Sequence, residues 1–152
     1  MTEVGFYHLT RSTLEQTLPR LLEKALQGGA RCLVMAGSPE RVEALNAHLW
    51  TYDPNSFLPH GSARDGNAAK QPVWLTDMDE NPPANAATML FLTDGARSDN
   101  VGKYVRCFEL FDGRDESAVA KARERWKQYR DAGHSVAYWQ QNERGGWEKK
   151  AG

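Results

Sequence analysis

The side chains that most often bind metals or act as nucleophiles are scattered along this sequence. They are four histidines and two cysteines, namely His8, Cys32, His48, His60, Cys107 and His134. No two histidines have the short spacing with which neighbouring imidazoles ligate one metal ion, and each cysteine lies in an apolar run without a neighbouring general base. We therefore expect no metal site and two buried, reduced thiols.

General acid–base chemistry has two candidate positions. His60 lies in a segment rich in loop-forming residues, and Asp112 and Asp115 follow a predicted strand. The ordinary alternatives are that His60 caps a turn and that the two acids begin a helix and offset its dipole. His8 is expected to be a strand residue satisfied by hydrogen bonds. A small α/β enzyme, a hydrolase or a nucleotide-using protein, is the alternative that these residues leave open.

Nucleotide binding would require glycines that let the backbone approach a phosphate. A Gly-x-Gly-x-x-Gly turn should follow the first strand, but the sequence reads Thr10-Arg-Ser-Thr13 there. Gly95 and Gly102 come nearest to a P-loop, yet six residues separate them instead of four, and Tyr104 stands where a magnesium-binding hydroxyl should be. We predict that the protein uses no nucleotide cofactor.

The longest predicted helix concentrates positive charge. Six basic and three acidic residues lie from Arg114 to Arg130, a local excess of three in a chain whose formal net charge is -1. On a helix, Arg123, Lys127 and Arg130 form one stripe. The stripe runs beside an apolar and aromatic face made of Val119, Ala122, Trp126 and Tyr129.

This helix supports three interpretations. In the first, Trp126 belongs to the core and the basic stripe is a solvated surface. In the second, the stripe binds carboxylates by charge-assisted hydrogen bonds while an apolar side chain fills the pocket beside it, which suits an acidic peptide ending in a hydrophobic residue. In the third, the helix binds single-stranded nucleic acid directly, although the near-zero net charge counts against this.

Strands and helices alternate along the chain. Predicted strands cover 4–9, 31–36, 72–76, 87–93 and 104–111, a closing hairpin joins 136–139 to 147–149, and predicted helices cover 17–27, 39–50 and 116–132. Several of the strands are apolar on both faces. This pattern predicts a single-domain three-layer α/β/α sandwich around a mostly parallel sheet, with a C-terminal hairpin.

Two segments are less regular than the rest. Ser12 and Glu15 have capping-box spacing, but Pro19 conflicts with a helix that runs unbroken from Ser12, so we favour a start at Thr17. Residues 51–71 contain prolines and glycines without a sustained period, and they predict a long loop.

The overall composition indicates the number of domains and the classes of partner to expect. A chain of 152 residues with 40% hydrophobic residues is the size of one domain with its own core. Its 19 basic and 20 acidic residues nearly cancel, so nothing global drives it onto DNA or an anionic membrane. The first residues lack the basic start and the apolar stretch of a signal peptide, and no apolar run approaches bilayer-spanning length, so we expect neither a signal peptide nor a membrane span. We expect one soluble, cytoplasmic domain over residues 1–152.

At the third helix the sequence resembles a known family. Residues 123–133, together with 5–9, 49–50, 56–60 and 72–76, are similar in order and spacing to the chi subunit of bacterial DNA polymerase III. The resemblance implies a Rossmann-like, non-catalytic accessory protein of the replicative clamp loader that has no cofactor. Members of the family link two partners. One is the acidic, phenylalanine-terminated C-terminal tail of single-stranded DNA-binding protein, and the other is the psi subunit, so that DNA is contacted only indirectly.

The resemblance also implies roles for particular residues of the helix. Arg123, Trp126 and Lys127 fall on tail-binding positions, where Arg123 or Lys127 would pair with tail carboxylates. Trp126 replaces a common tyrosine and would wall the phenylalanine pocket. Val119 stands where some members have a further basic residue, and Lys121 is out of register with that position.

The second partner site falls in the predicted loop. Phe57, which lies beside Leu58 and Pro59, occupies the position that contacts psi in the family. An exposed phenylalanine there would be an interface anchor, whereas one that folds back onto its own core would not.

Overall fold

The computed structural model describes residues 2–53 and 58–151, which form one eight-stranded sheet packed between helices. The strands are β1 (Glu3–Leu9), β2 (Cys32–Met35), β3 (His60–Ser62), β4 (Val73–Thr76), β5 (Met89–Leu92), β6 (Arg106–Asp112), β7 (Ser135–Gln141) and β8 (Trp147–Ala151). The helices are α1 (Leu14–Gln27), α2 (Pro39–Thr51) and α3 (Glu116–Asp131). Within the described ranges, no helix is long and apolar enough to cross a membrane.

The sheet has the strand order β3-β4-β2-β5-β6-β1-β7-β8. All neighbours run parallel except β8, which returns antiparallel to β7. Buried side chains such as Leu22 of α1 and Leu45 of α2 pack on one face, and Ala122 of α3 packs on the other. The predicted three-layer arrangement with a C-terminal hairpin is therefore confirmed.

The chain leaves the sheet in opposite directions at two neighbouring strands. From β1 it passes through α1 on one face to β2, and from β6 it passes through α3 on the other face to β7. Ligands of open α/β sheets bind where connections diverge in this way, because a crevice forms beyond the carboxyl ends of the strands. A crevice of about 410 Å³ opens at this edge.

The first helix begins earlier than the sequence predicts. Thr13 is its N-cap, and the side chains and backbone of Thr13 and Gln16 form the capping box. The predicted start at Thr17 is therefore wrong, as is the pairing of Ser12 with Glu15. Reciprocal capping satisfies two backbone N–H groups at once, which stabilises the earlier turn.

Pro19 consequently lies inside α1. A proline there removes the N–H that would bond to the carbonyl oxygen four residues earlier, which belongs to Glu15. His48 of α2 supplies the missing donor, because its Nε2 lies 2.6 Å from that oxygen. An interaction between helices thus allows a proline at a position where the sequence pattern predicts a helix boundary.

Residues 51–71 contain more regular structure than the predicted loop. β3 lies in this segment and pairs in parallel with β4, and Ala68–Lys70 form a short 3-10 turn. β3 lacks a sequence signal because it has only three residues, none of them a large apolar one. Leu58 is only 3% exposed and belongs to the core, and Phe57 lies outside the described residues.

The cysteines match their prediction. Both are buried and free. Burial raises the pKa of Cys32 to about 12 and also raises the pKa of Cys107, so both thiols stay protonated. Among the residues that the structure describes, no three metal-binding side chains come together.

Candidate functional site

A buried ion pair holds α3 against the sheet. The guanidinium of Arg125 lies 2.8 Å from the carboxylate of Glu109 on β6, and it also donates to the backbone carbonyls of Gly95 and Ala96. The hydroxyl of Tyr129 donates to the other carboxylate oxygen at 2.6 Å. Burial raises the pKa of Glu109, whereas Arg125 and Tyr129 lower it. One of the positive charges counted on this helix is therefore neutralised inside the molecule.

The predicted basic stripe lies on α3 on the side away from Arg125. Arg123 and Lys127 are exposed, and in the described part of the chain neither has a carboxylate within ion-pair distance. Trp126 lies between the stripe and the core, half-buried, with its ring 5.6 Å from Phe6 and 6.0 Å from Tyr138. The structure thus brings the three residues to one surface, with two unpaired cations beside a partly open indole ring.

Three further rings continue this surface, and the sequence did not predict them as part of it. His8, Phe111 and Tyr138 come from β1, β6 and β7, and all three are half-buried on the sheet face under α3. The ring of His8 lies 5.1 Å from that of Phe111 and 5.8 Å from that of Tyr138. Together with Trp126 they make a four-ring aromatic surface beside Arg123.

Lys121 and Val119 behave differently from the stripe. Lys121 lines the crevice, which is on the opposite flank of α3, since two residues on a helix turn by roughly 200° from Lys121 to Arg123. It therefore does not supply the charge that is absent at Val119. Val119 itself is half-buried beside the stripe.

The acid–base candidates serve the turn and the helix start. Asp112 accepts hydrogen bonds from the backbone and side chain of Arg114, and Asp115 is the N-cap of α3. The contact with Arg114 lowers the pKa of Asp112. His60 is buried, and both of its ring nitrogens face backbone carbonyl oxygens, those of Leu58 and Asn46. The prediction that His60 caps a loop turn is wrong, because it lies in β3 and bridges this strand to α2.

The β1–α1 loop is filled by a side chain where a nucleotide-binding sheet would place a phosphate. Three consecutive backbone N–H groups, those of Thr10, Arg11 and Ser12, point at the amide oxygen of Gln141 over 3.0–3.1 Å. Such converging N–H groups form a concavity that suits an anion. Here Gln141, 6% exposed at the end of β7, occupies it from within the molecule.

The crevice nearby is crossed by ion pairs. Arg41 on α2 contacts Asp94 at 3.0 Å and Glu15 at 3.3 Å. The hydrogen bond to Asp94 is the main cause that raises the pKa of Arg41. The polar groups on this side of the crevice are thus engaged with one another, unlike the cations of the α3 stripe.

Comparison with known protein families gives a match over most of this chain. The family model of the DNA polymerase III chi subunit, HolC, matches residues 1–137. The chain belongs to the chi subunit family of DNA polymerase III. The matched part of this chi-family chain includes all of α3, three of the four rings (His8, Phe111 and Trp126) and the 51–71 segment, and Tyr138 lies one residue beyond it.

Individual chi proteins show the same relationship. The probable DNA polymerase III subunit chi of Rickettsia prowazekii is 32% identical over 111 residues, which cover 72% of this chain and 67% of that protein. The DNA polymerase III subunit chi of Pseudomonas aeruginosa is 27% identical over 140 residues, or 90% of this chain and 94% of its own. The Haemophilus influenzae protein of the same name is 23% identical over 135 residues.

Proposed function

We propose that this chi-family chain is a non-catalytic, cytoplasmic accessory subunit that links the clamp loader to single-stranded DNA-binding protein. It does so by binding the acidic C-terminal tail of that protein at the α3 stripe. Arg123 and Lys127 pair with tail carboxylates, and Trp126 forms one wall of the pocket for the terminal phenylalanine.

One observation carries this proposal. Arg123 and Lys127 are exposed cations without an ion pair in the described part of the chain, and they border a half-buried indole. An unpaired guanidinium is a strong donor to a carboxylate, and the partly open aromatic surface offers the apolar contact that a phenylalanine needs. Acidic peptides with a hydrophobic end combine both features.

Calorimetry with a synthetic peptide tests the proposal. The peptide copies the acidic, phenylalanine-terminated tail of the same organism's single-stranded DNA-binding protein. Losing one desolvated charge-assisted contact costs about 1.5–3 kcal/mol, so Arg123→Ala should weaken binding roughly tenfold or more. Removal of the terminal phenylalanine should also abolish binding, and added salt should weaken it.

Lys121→Ala is the matched control, because it removes one positive charge from the same helix on the opposite flank. It should leave the affinity within about twofold, since an exposed charge at that distance is largely screened. Equal affinities of wild type and Arg123→Ala would contradict the assignment of this site.

We propose further that residues 51–71 bind the psi subunit, with Phe57 as the anchor. What supports this is the exposed indole of Trp50, 52% accessible, which lies next to this segment and packs 4.3 Å from the ring of His60. Phe57→Ala should weaken a pull-down of clamp-loader components and leave the tail-peptide affinity unchanged. A much lower melting temperature of the variant would instead place Phe57 in the core.

A further inference from the structure

The pair formed by His8 and Tyr138 lies at the edge of the α3 stripe. The hydroxyl of Tyr138 is 2.5 Å from Nδ1 of His8. The opposite edge of the imidazole lies against Gly113, so closely that a Cβ at this position would come within 2.0 Å of the ring. Only glycine leaves room for His8 here, and the imidazole is therefore held in one orientation.

The neighbours of the ring favour one tautomer of the neutral imidazole. The Gly113 backbone, which lies beside the Nε2 edge, raises the pKa of His8 and therefore favours an N–H at that edge. In the neutral imidazole the other nitrogen, Nδ1, must then accept from the Tyr138 hydroxyl. The hydrogen of the Tyr138 hydroxyl thereby points towards His8 and away from any ligand.

Charged groups from two elements face His8. Arg123 of α3 lowers its pKa, and the carboxylate of Asp112 at the end of β6, itself paired with Arg114, raises it. Burial, the largest cause, lowers the pKa, so that His8 in the unbound protein is neutral at pH 7. Burial also raises the pKa of Tyr138, which stays a hydroxyl.

We propose that His8 is a proton-linked member of the peptide site and is protonated to a greater extent when an acidic peptide binds beside Arg123. A bound carboxylate offsets the positive charge of Arg123 and adds a negative charge near the imidazole. Nδ1 then gains the proton and donates to the Tyr138 oxygen, which frees the tyrosine hydrogen to donate to the carboxylate. This inference rests on the proposed function of the α3 stripe.

Calorimetry of the same tail peptide across pH 5.5 to 8 tests the linkage. The carboxylates of the peptide stay ionised over this range, so a change in affinity reports on histidine. Affinity should rise roughly three- to tenfold as the pH falls, because the bound carboxylate raises the pKa of His8 in the complex. Buffers of different ionisation enthalpy should reveal net proton uptake near pH 6.5.

Two variants and an NMR titration test whether His8 is the residue that causes the pH dependence of binding. His8→Gln should bind the peptide with an affinity independent of pH, whereas His134→Gln, which alters a histidine at the other end of α3, should keep the wild-type dependence. NMR titration of the wild-type His8 ring with and without peptide measures the same shift without any substitution. Tight, pH-independent binding by wild type would overturn the linkage and leave the proposed function intact, whereas absence of binding at every pH would overturn both.

Discussion

Two irregular places in the backbone are each satisfied by a single side chain from elsewhere in the chain. Gln141 accepts from three consecutive N–H groups of the β1–α1 loop. His48 donates to the carbonyl oxygen that Pro19 leaves unpaired inside α1. Buried backbone groups need partners, and side chains that provide them fix how the elements fit together.

The His48 contact predicts a coupling between two positions. His48→Ala should lower the free energy of unfolding by about 1 kcal/mol, because the Glu15 carbonyl loses its donor. In a Pro19→Ala background the backbone N–H at position 19 can bond to that carbonyl, so the same change should cost much less.

Urea unfolding of the four proteins in this double-mutant cycle measures the coupling. If His48→Ala costs the same in both backgrounds, the imidazole does not replace the proline's missing donor.

These residue-scale features lie at the limit of what a single sequence reveals. Proline signals a helix boundary because its missing N–H is normally uncompensated. Nothing in the pattern around Pro19 announces that His48, 29 positions later, would supply a donor. Gln141 likewise reads as an ordinary strand residue, since its role depends on a loop 129–131 positions earlier.

At the scale of elements, α3 is both a binding surface and a packed layer. One flank presents Arg123 and Lys127. The other flank packs Arg125 against Glu109, a residue that is only 5% exposed. Residues two positions apart thus have opposite roles on one helix, which follows from the helical turn between them.

Replacing Arg125 should destabilise the fold in a pH-dependent manner. Arg125→Met leaves the buried Glu109 carboxylate unpaired, at a cost of roughly 3–5 kcal/mol at neutral pH. The pKa of Glu109 is already raised by burial and should rise further without Arg125. A carboxyl group whose folded-state pKa exceeds its unfolded value favours folding at low pH, and this advantage is lost as the pH rises through the folded-state value. The deficit of the variant should therefore be smaller at pH 5 than at pH 8.

Denaturant unfolding at the two pH values measures this deficit. Arg123→Met is the control, since an exposed arginine on the same helix should change stability by less than about 0.5 kcal/mol. Adding Glu109→Gln to Arg125→Met should recover much of the loss at pH 8 by removing the unpaired charge. No recovery in the double variant would mean that lost packing, not the charge, causes the effect.

The sequence predicts elements better than it predicts their assembly. Long periodic segments such as α3 and apolar runs such as β2 and β5 carry their own signals, and they form as expected. β3 does not, because pairing with β4 rather than its own side chains makes it a strand. The basic stripe could be predicted from helical spacing alone. The rings of His8, Phe111 and Tyr138 could not be assigned to it, since they meet only through the order of three strands.

At the scale of the whole molecule, the two proposed interfaces lie far apart on the sheet. The α3 stripe overlies β1 and β7, whereas the 51–71 segment contains β3 at the opposite edge. Five strand steps separate β3 from β1, or about 24 Å at roughly 4.8 Å per step. One partner can therefore bind the α3 stripe while a second partner binds the 51–71 segment.

Both partners should thus bind simultaneously and without affecting each other's affinity. Saturating tail peptide should leave the recovery of clamp-loader components in a pull-down unchanged, and Arg123→Ala should leave it unchanged as well, because residues this far apart and without shared contacts behave additively. Displacement of clamp-loader components by the peptide would show that the two surfaces overlap.

The position of β1 in the sheet determines when this strand can pair during synthesis of the chain. β1 is the first strand of the chain, yet its neighbours are β6 and β7, which begin at Arg106 and Ser135. A ribosome delivers residues from the N-terminus, so β2, β4 and β5 can pair with one another well before β1 has either neighbour. Contacts across more than 100 residues close slowly because the intervening chain must first be ordered. β1 therefore has no partner strand until β6 has been made, so a chain interrupted before Arg106 would leave its first strand unpaired, whereas one interrupted before β7 would lack only the two strands at that edge.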